Sequence, residues 1–178
     1  VLTSAVIGPR DLKFNAGELI VQALQGGILP FPAGGLNYVD ALDCVQGHIA
    51  AAEKGLAGER YILAGHNMTH AETINEVNRA LGTRARSLRL PRWLLPAMAA
   101  GADLAHRVGI DLPVDRGRVI LSGHYIYYDN SKAIRNLGIT FRPFTESVRM
   151  AYEWYAENDY LRKRGLRPLQ ALPQMNGN

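Results

Sequence analysis

VLTSAVIG, residues 1–8, is the stretch that decides the fold class: an apolar run rich in β-branched residues that ends at a glycine turn. Such a run predicts a buried strand. A second run of the same kind, ERYILAG, occupies residues 59–65. Helical patterns lie between and after these runs, and strands that alternate with helices are typical of an α/β fold. The sequence therefore predicts an α/β protein.

The chain also starts in an unusual place for a natural domain. Val1 is not a methionine, and a domain seldom begins inside a central strand with nothing before it. We expect either that a leader was removed or that the chain begins in the middle of a larger gene product.

Capping residues mark two helix starts. In a capping box the N-cap side chain and a side chain three residues later bind each other's backbone amides. Asp43 with Gln46 is predicted to open one helix, and Thr69 with Glu72 another. Periodic apolar positions and terminal glycines place the remaining helices. The predicted helices occupy residues 16–26, 44–54, 69–82, 93–108, 131–137 and a final stretch from 145 onward.

Three further segments are predicted to be extended. ILPFPAGG, residues 28–35, is rich in proline and glycine and predicts an extended loop. LNYV, residues 36–39, predicts a short strand. VILSGHYIYY, residues 119–128, shows some alternation of apolar and polar residues and predicts a strand or extended chain.

Composition excludes several classes of protein. The chain has 178 residues, of which 47% are hydrophobic and 20% charged, as in ordinary globular domains. Disordered, collagen-like and coiled-coil proteins are excluded, and the length predicts one domain or one and a half. The single cysteine, Cys44, cannot form an internal disulfide, which favours a reducing, cytoplasmic location. No membrane span is predicted, because the longest apolar run, residues 93–108, contains Pro96, Asp103 and Arg107.

The charge pattern does not favour nucleic-acid binding. The net charge is +4, and basic residues are spread along the chain apart from a run at Arg162, Lys163, Arg164 and Arg167. A nucleic-acid surface would interleave aromatic side chains with such a run, and only Tyr160 lies near it. We interpret the run as solvated surface.

The chain carries no phosphate-binding loop of its own. A dinucleotide fingerprint places three spaced glycines between a strand and the following helix, so that backbone amides can approach the pyrophosphate. Gly26-Gly27 and Gly34-Gly35 lack that spacing and that position.

Two pairs of side chains resemble catalytic or metal-binding motifs. His66 and His70 are four residues apart, with Glu72 nearby, but the helix predicted to start at Thr69 leaves His66 outside it. A metal site is therefore not expected. Tyr128 and Lys132 have the spacing of a tyrosine activated by a lysine on one helix, but Tyr128 lies in an extended segment. We interpret this pair as a chance match.

The order of several motifs resembles a known family. The chain is similar to the C-terminal half of extended short-chain dehydrogenases/reductases, closest to the dihydroflavonol-reductase-like branch that includes hopanoid-associated sugar epimerases. The resemblance covers nearly all of residues 1–158. The motifs that carry it are VLTSAVIGPRD at 1–11, LNYVDALDCVQGHIAAAEKG at 36–55, GERYILAGHNMTHAETI at 58–74, RLPRWLLPAMAAGADLAHRVG at 89–109 and YYDNSKAIRNLGI at 127–139.

The resemblance implies a Rossmann-type parallel sheet with a small, mainly helical substrate-binding domain. Residues 1–178 would then form a single C-terminal portion, with the last Rossmann strands near 1–8 and 59–65. The family's glycine fingerprint, catalytic serine or threonine and catalytic Tyr-xxx-Lys all precede the strand matched by VLTSAVIGP. The N-terminal cofactor domain is therefore expected to be absent, and no catalytic residue is assigned to this chain.

Candidate binding residues follow from position in the family. Thr3 and Ser4 match the segment beside the nicotinamide of NAD or NADP, with Thr3 where the family usually has proline. Arg10, Lys13 and the pair Asn37 and Tyr38 match segments that line the substrate cleft between the domains.

The sequence departs from the family pattern at two positions in the segment LNYVD, residues 36–40. Leu36 stands where nucleotide-sugar epimerases place an arginine that clamps the diphosphate, and leucine cannot make that charged contact. A nucleotide-diphosphate sugar is thus disfavoured, and a less charged carbonyl or alcohol is favoured. Asp40 replaces a common histidine, and the sequence offers no explanation for it.

The resemblance therefore predicts the substrate-binding portion of an NAD(P)-dependent oxidoreductase or epimerase that acts on a carbonyl or hydroxyl carbon. Its expected partners are a small-molecule substrate, the missing N-terminal half and, through its helices, a second copy in a homodimer. The alternative is a truncated, non-catalytic binding or interaction module of the same family. Alone, the chain is expected to expose a strand edge and an apolar face.

Overall fold

The computed structural model describes residues 1–107, 109 and 116–174. They form an α/β fold, as predicted. The strands are β1 (Leu2–Thr3), β2 (Ala5–Ile7), β3 (Ile28–Pro32), β4 (Gly35–Asp40), β5 (Ile62–Leu63), β6 (His66–Thr69), β7 (Arg86–Leu90) and β8 (Tyr125–Ile126). The helices are α1 (Glu18–Gln25), α2 (Ala41–Lys54), α3 (His70–Leu81), α4 (Leu95–Arg107), α5 (Arg116–Ser122), α6 (Ser131–Leu137), α7 (Phe144–Glu157) and α8 (Tyr160–Lys163).

The opening run divides into two strands that belong to different sheets. β1 pairs in parallel with β5, whereas β2 pairs in parallel with β4. β4 also pairs with antiparallel β6 and parallel β8. Within the described chain, Ile7 is buried but Val1, Leu2 and Val6 are exposed. The prediction of a buried strand was therefore wrong for most of this run, and the expected apolar exposure is confirmed.

A third sheet replaces the loop predicted over residues 28–35. β3 pairs in parallel with β7 over five residue pairs, from Ile28 opposite Arg86 to Pro32 opposite Leu90. The loop prediction was wrong here because, within the described residues, the strand that holds both prolines has a single neighbour, so their missing N–H groups are tolerated.

The segment 119–128 was also mispredicted in part. Its first four residues belong to α5, and only Tyr125–Ile126 form a strand. Val119 packs with Ala99 and Ala102 of α4. An apolar run of this length fits a buried helix as well as a strand. Here the helix forms because its apolar side chains pack against α4.

The other predicted helices are present with small shifts. α3 has the Thr69–Glu72 capping box, and Gly82 ends it with φ of 73°. The helix predicted over 93–108 is a 3₁₀ turn at Arg92–Leu94 followed by α4. Val108 lies outside the described residues.

The start of α2 corrects one prediction and explains another residue. Its N-cap is Asp40, whose Oδ1 accepts hydrogen bonds from the backbone amides of Leu42 at 2.7 Å and Asp43 at 3.3 Å. The Asp43–Gln46 capping box was therefore wrong. Asp40, unexplained by the sequence, is the residue that starts this helix.

The main core lies between the sheet of β2, β4, β6 and β8 and the helices α1, α3 and α7. Val148, Tyr152 and Tyr155 of α7 are buried there, as their spacing predicted. Ile20 of α1 and Ile74 of α3 belong to the same buried cluster. Helix α1 and strands β2 and β4 all contribute residues to this core, and the same three elements line the cavity described below.

None of the helices in the described ranges is long and apolar enough to cross a membrane.

Candidate functional site

A cavity of about 420 Å³ lies beside β2 and β4. This volume is within the range of small-molecule sites. Most of its wall is apolar. The lining residues are Ala5, Val6, Asn15, Ala16, Glu18, Leu19, Gln22, Phe31, Leu36, Tyr38, His70, Leu121 and Ser122.

Strand alternation decides which β4 residues reach the cavity. Leu36 and Tyr38 are two residues apart, so their side chains share a face, and both line it. Asn37 is not among the lining residues. It is 2% exposed, and its Nδ2 donates to Asn67 Oδ1 at 2.7 Å. The structure thus brings Tyr38 to the cavity and places Asn37 in a polar network with Asn67.

Tyr38 is a neutral phenol in this wall. It is 3% exposed, and its ring lies 5.2 Å from that of Phe144. Burial raises the pKa of Tyr38 to about 12, and a hydrogen bond with the Thr73 side chain offsets only part of that effect. Tyr38 therefore keeps its proton at neutral pH.

Helix α1 contributes two polar side chains to the wall, Glu18 and Gln22. Glu18 lies 3.5 Å from Arg164 Nη2, an ion pair to one of the predicted surface arginines. Gln22 follows one turn later, which places the two side chains on one helical face. Its Oε1 is buried and has no hydrogen-bond partner among the described residues.

A stacked aromatic pair closes another side of the cavity. The rings of Phe31 and His70 lie 5.1 Å apart, with 20° between their planes. His70 Nε2 donates to the backbone carbonyl of Ser122 at 2.8 Å, which ties α3 to the end of α5. Both aromatic residues also line a smaller cavity of about 130 Å³.

Arg10 and Lys13 lie in the turn between β2 and α1 and are exposed. Neither lines the cavity in the described chain. Arg10 has a positive φ of 68°, and so has Phe14 at 53°. Asp11 Oδ2 accepts a hydrogen bond from the Gly17 amide at 3.1 Å, which holds the turn closed before α1.

Thr3 and Ser4, the predicted cofactor-proximal residues, lie where the opening run changes sheets. Thr3 is exposed at the end of β1. The Ser4 amide donates to the Leu63 carbonyl at 3.3 Å, and its Oγ is buried with no hydrogen-bond partner in the described part of the chain.

A cluster that sequence reasoning missed joins α2 to the segment before α7. Arg142 Nε lies 2.9 Å from Asp43 Oδ1 and 3.3 Å from Asp40 Oδ1. The backbone carbonyl of Arg142 accepts a hydrogen bond from His66 Nε2 at 2.8 Å. No local signal could reveal this cluster, because Arg142 is 99 residues from Asp43.

The two motif-like pairs occupy separate structural positions. His66 and His70 each donate from Nε2 to a different backbone carbonyl. Tyr128 exchanges backbone hydrogen bonds with the Asn67 side chain, whereas Lys132 binds Glu59. Tyr128 and Lys132 therefore do not share a helical face, as the sequence predicted.

Comparison with curated proteins confirms the family resemblance. No protein-family model matches the chain. It is 28% identical over 166 residues to a protein from Synechocystis named "Putative dihydroflavonol 4-reductase", a match that covers 89% of this chain and 48% of that protein. It is 26% identical over 187 residues to short-chain dehydrogenase/reductase family 42E member 1 from Bos taurus, covering 93% and 47% respectively. The chain spans about half the length of the curated relatives it matches and corresponds to their C-terminal half.

Comparison with solved structures confirms the fold class. A nucleoside-diphosphate-sugar epimerase from Pseudomonas aeruginosa superimposes with a TM-score of 0.70 at 25% identity, over 89% of this chain and 47% of that one. UDP-glucuronic acid 4-epimerase from Bacillus cereus, in complex with UDP-glucuronic acid and NAD, gives a TM-score of 0.56 at 19% identity over 88% and 44%. The second similarity shows the fold alone.

Proposed function

We propose that the chain is the C-terminal, substrate-binding portion of an NAD(P)-dependent oxidoreductase or epimerase that acts on a carbonyl or hydroxyl carbon. The cavity beside β2 and β4 would hold the substrate. The observation that carries the proposal is that two residues matched to the family's substrate strand, Leu36 and Tyr38, wall a cavity of about 420 Å³. The half-length match to reductases supports it.

The cavity's chemistry favours an uncharged substrate. Leu36 presents methyl groups where an epimerase arginine would clamp a diphosphate, and Tyr38 adds a neutral phenol. The described lining residues include no Lys or Arg that could bind an anion, and their carboxylate, Glu18, is paired with Arg164. A carbonyl or alcohol on a mainly apolar skeleton therefore fits better than a phosphorylated sugar.

The residues of this chain would meet the cofactor at its nicotinamide end. Thr3 is exposed, so its hydroxyl is free to meet a carboxamide, whereas Ser4 Oγ is buried and has no hydrogen-bond partner in the described chain. When bound, the nicotinamide would supply the hydride chemistry. Phosphate binding would depend on the N-terminal half.

Two exposed apolar surfaces support a further half-domain as partner. Val1 and Leu2, at the start of β1, are apolar and exposed, and β5 is the single neighbour of β1 among the described strands. On α2, Leu42, Val45 and Ile49 form an exposed stripe three to four residues apart. Exposed apolar patches of this kind mark interaction sites.

The DNA immediately upstream of the Val1 codon tests the proposal. We expect an open frame that encodes a glycine-rich turn after a strand and a helical Tyr-xxx-Lys. The full product should then oxidise NADH or NADPH with an uncharged carbonyl. A stop codon and start signal directly before Val1 would contradict the proposal and favour the alternative, a non-catalytic binding module.

A further inference from the structure

Four of the polar residues that line the cavity beside β2 and β4 have a partner within the chain. Glu18 pairs with Arg164, and His70 donates to the Ser122 carbonyl. The Tyr38 hydroxyl has the Thr73 side chain as its hydrogen-bond partner. Ser122 Oγ donates to the Val119 carbonyl at 2.7 Å. Each of these groups therefore has an intramolecular partner.

Gln22 is different from these groups. Its Oε1 is buried, lacks a hydrogen-bond partner in the described ranges, and belongs to a side chain that lines the cavity. An unsatisfied buried amide oxygen costs about 1–3 kcal/mol, so a position of this kind calls for an explanation. A glutamine amide turns readily about its terminal torsion, which lets the group reach into the cavity.

We propose that Gln22 is a specificity residue: its side-chain carbonyl accepts a hydrogen bond from a hydroxyl group of a mainly apolar ligand in the cavity. This inference rests on the proposed function and narrows its substrate class. The apolar wall formed by Leu19, Phe31, Leu36 and Leu121 would hold the skeleton. A neutral acceptor in such a wall selects a donor without requiring a charge.

A ligand with a free hydroxyl group should bind more tightly than its methyl ether. When a site is built to bind a hydroxyl group, an analogue without the donor leaves the buried acceptor unpaired. A net hydrogen bond contributes about 1 kcal/mol, which corresponds to roughly fivefold in affinity. The preference should disappear when the amide is removed.

The test compares two probes of equal skeleton, 2-naphthol and 2-methoxynaphthalene, by equilibrium dialysis against the 178-residue chain. We expect 2-naphthol to bind about fivefold more tightly. In Gln22→Met, which keeps the length of the side chain but lacks the amide, the ratio should fall to about 1. Gln25→Met is the matched control, because Gln25 is exposed at the end of the same helix.

The outcomes separate this inference from the proposed function. The role of Gln22 would be overturned if the affinity ratio of the two probes were unchanged in Gln22→Met, or if the native chain showed no preference. Neither result would affect the test of the proposed function by the DNA upstream of Val1. Loss of the ratio in Gln22→Met with no upstream cofactor domain would keep Gln22 as a ligand group of a binding module.

A second measurement needs no variant. The Gln22 side-chain amide resonances should shift with 2-naphthol and stay unchanged with 2-methoxynaphthalene. Equal shifts with both probes would contradict the inference even if Gln22→Met failed to fold.

Discussion

Arg142 and Asp43 bind each other through two hydrogen bonds across 99 residues of sequence. The Arg142 backbone amide donates to Asp43 Oδ2 at 2.8 Å, and its Nε donates to Oδ1 at 2.9 Å. The Asp43 side chain is 8% exposed and that of Arg142 24%. The pair fixes the first turn of α2, which starts at the end of the cavity strand β4, to the segment that leads into α7.

Removing the carboxylate of this pair should destabilise the fold. In Asp43→Ala the Arg142 backbone amide loses its acceptor and the guanidinium keeps only its longer contacts to Asp40 and Glu146, which costs about 1–3 kcal/mol. We expect urea unfolding to show that loss at neutral pH. Glu59→Gln is the control, because the ion pair of Glu59 with Lys132 is exposed and should leave the urea midpoint nearly unchanged. Equal midpoints for both variants would contradict the structural role of Asp43.

Two helical glycines should respond in opposite directions to alanine. A methyl group at Gly47 of α2 would lie 2.5 and 2.6 Å from the δ-carbons of Leu63, which is fully buried in β5. The clash should outweigh the gain in helix propensity and destabilise Gly47→Ala by about 1 kcal/mol or more. At Gly101 of α4 no described atom lies within 4 Å, so Gly101→Ala should stabilise by about 0.5–1 kcal/mol. Thermal unfolding of both variants checks the pair.

Sequence patterns predicted the structure correctly where it depends only on neighbouring residues. The Thr69–Glu72 box and the glycines that end α1, α3 and α6 depend on neighbours within four residues. The helix cap at Asp40 was missed because Asp40 and Asp43 are both capable caps. Only Arg142, distant in sequence, decides that Asp43 serves the ion pair.

The candidate site was less accessible to sequence reasoning for the same physical reason. Its cavity is assembled from β2, β3, β4 and three helices, whose relative positions no local pattern encodes. Family position led to Tyr38, but strand alternation separates it from Asn37. Gln22 carried no signal, since a glutamine on an amphipathic helix is ordinarily solvated.

The pH dependence of stability should include Tyr38 at high pH. Its pKa is about 12 in the folded chain, against about 10 for an unperturbed tyrosine, so the folded state holds the proton more tightly. The stability that results is complete below pH 10 and is lost as the pH rises through 12. Between pH 9 and 11 we expect the free energy of unfolding to fall by about 1 kcal/mol more in the native chain than in Tyr38→Phe. Parallel pH profiles would contradict burial of this phenol.

Leu36 provides a direct test of the proposal that the cavity binds an uncharged substrate. Its side chain lines the cavity, and the family resemblance places an arginine of nucleotide-sugar epimerases at this position, so we expect the native chain to bind UDP no better than it binds uridine. In Leu36→Arg a guanidinium fork can engage the diphosphate with two hydrogen bonds, and UDP affinity should rise at least tenfold over that for uridine. Leu36→Lys is the matched control, because a point charge lacks that fork and should give a smaller gain. Isothermal titration measures all three. Strong UDP binding by the native chain would mean that Leu36 does not exclude diphosphates and that the substrate class proposed for the cavity is wrong.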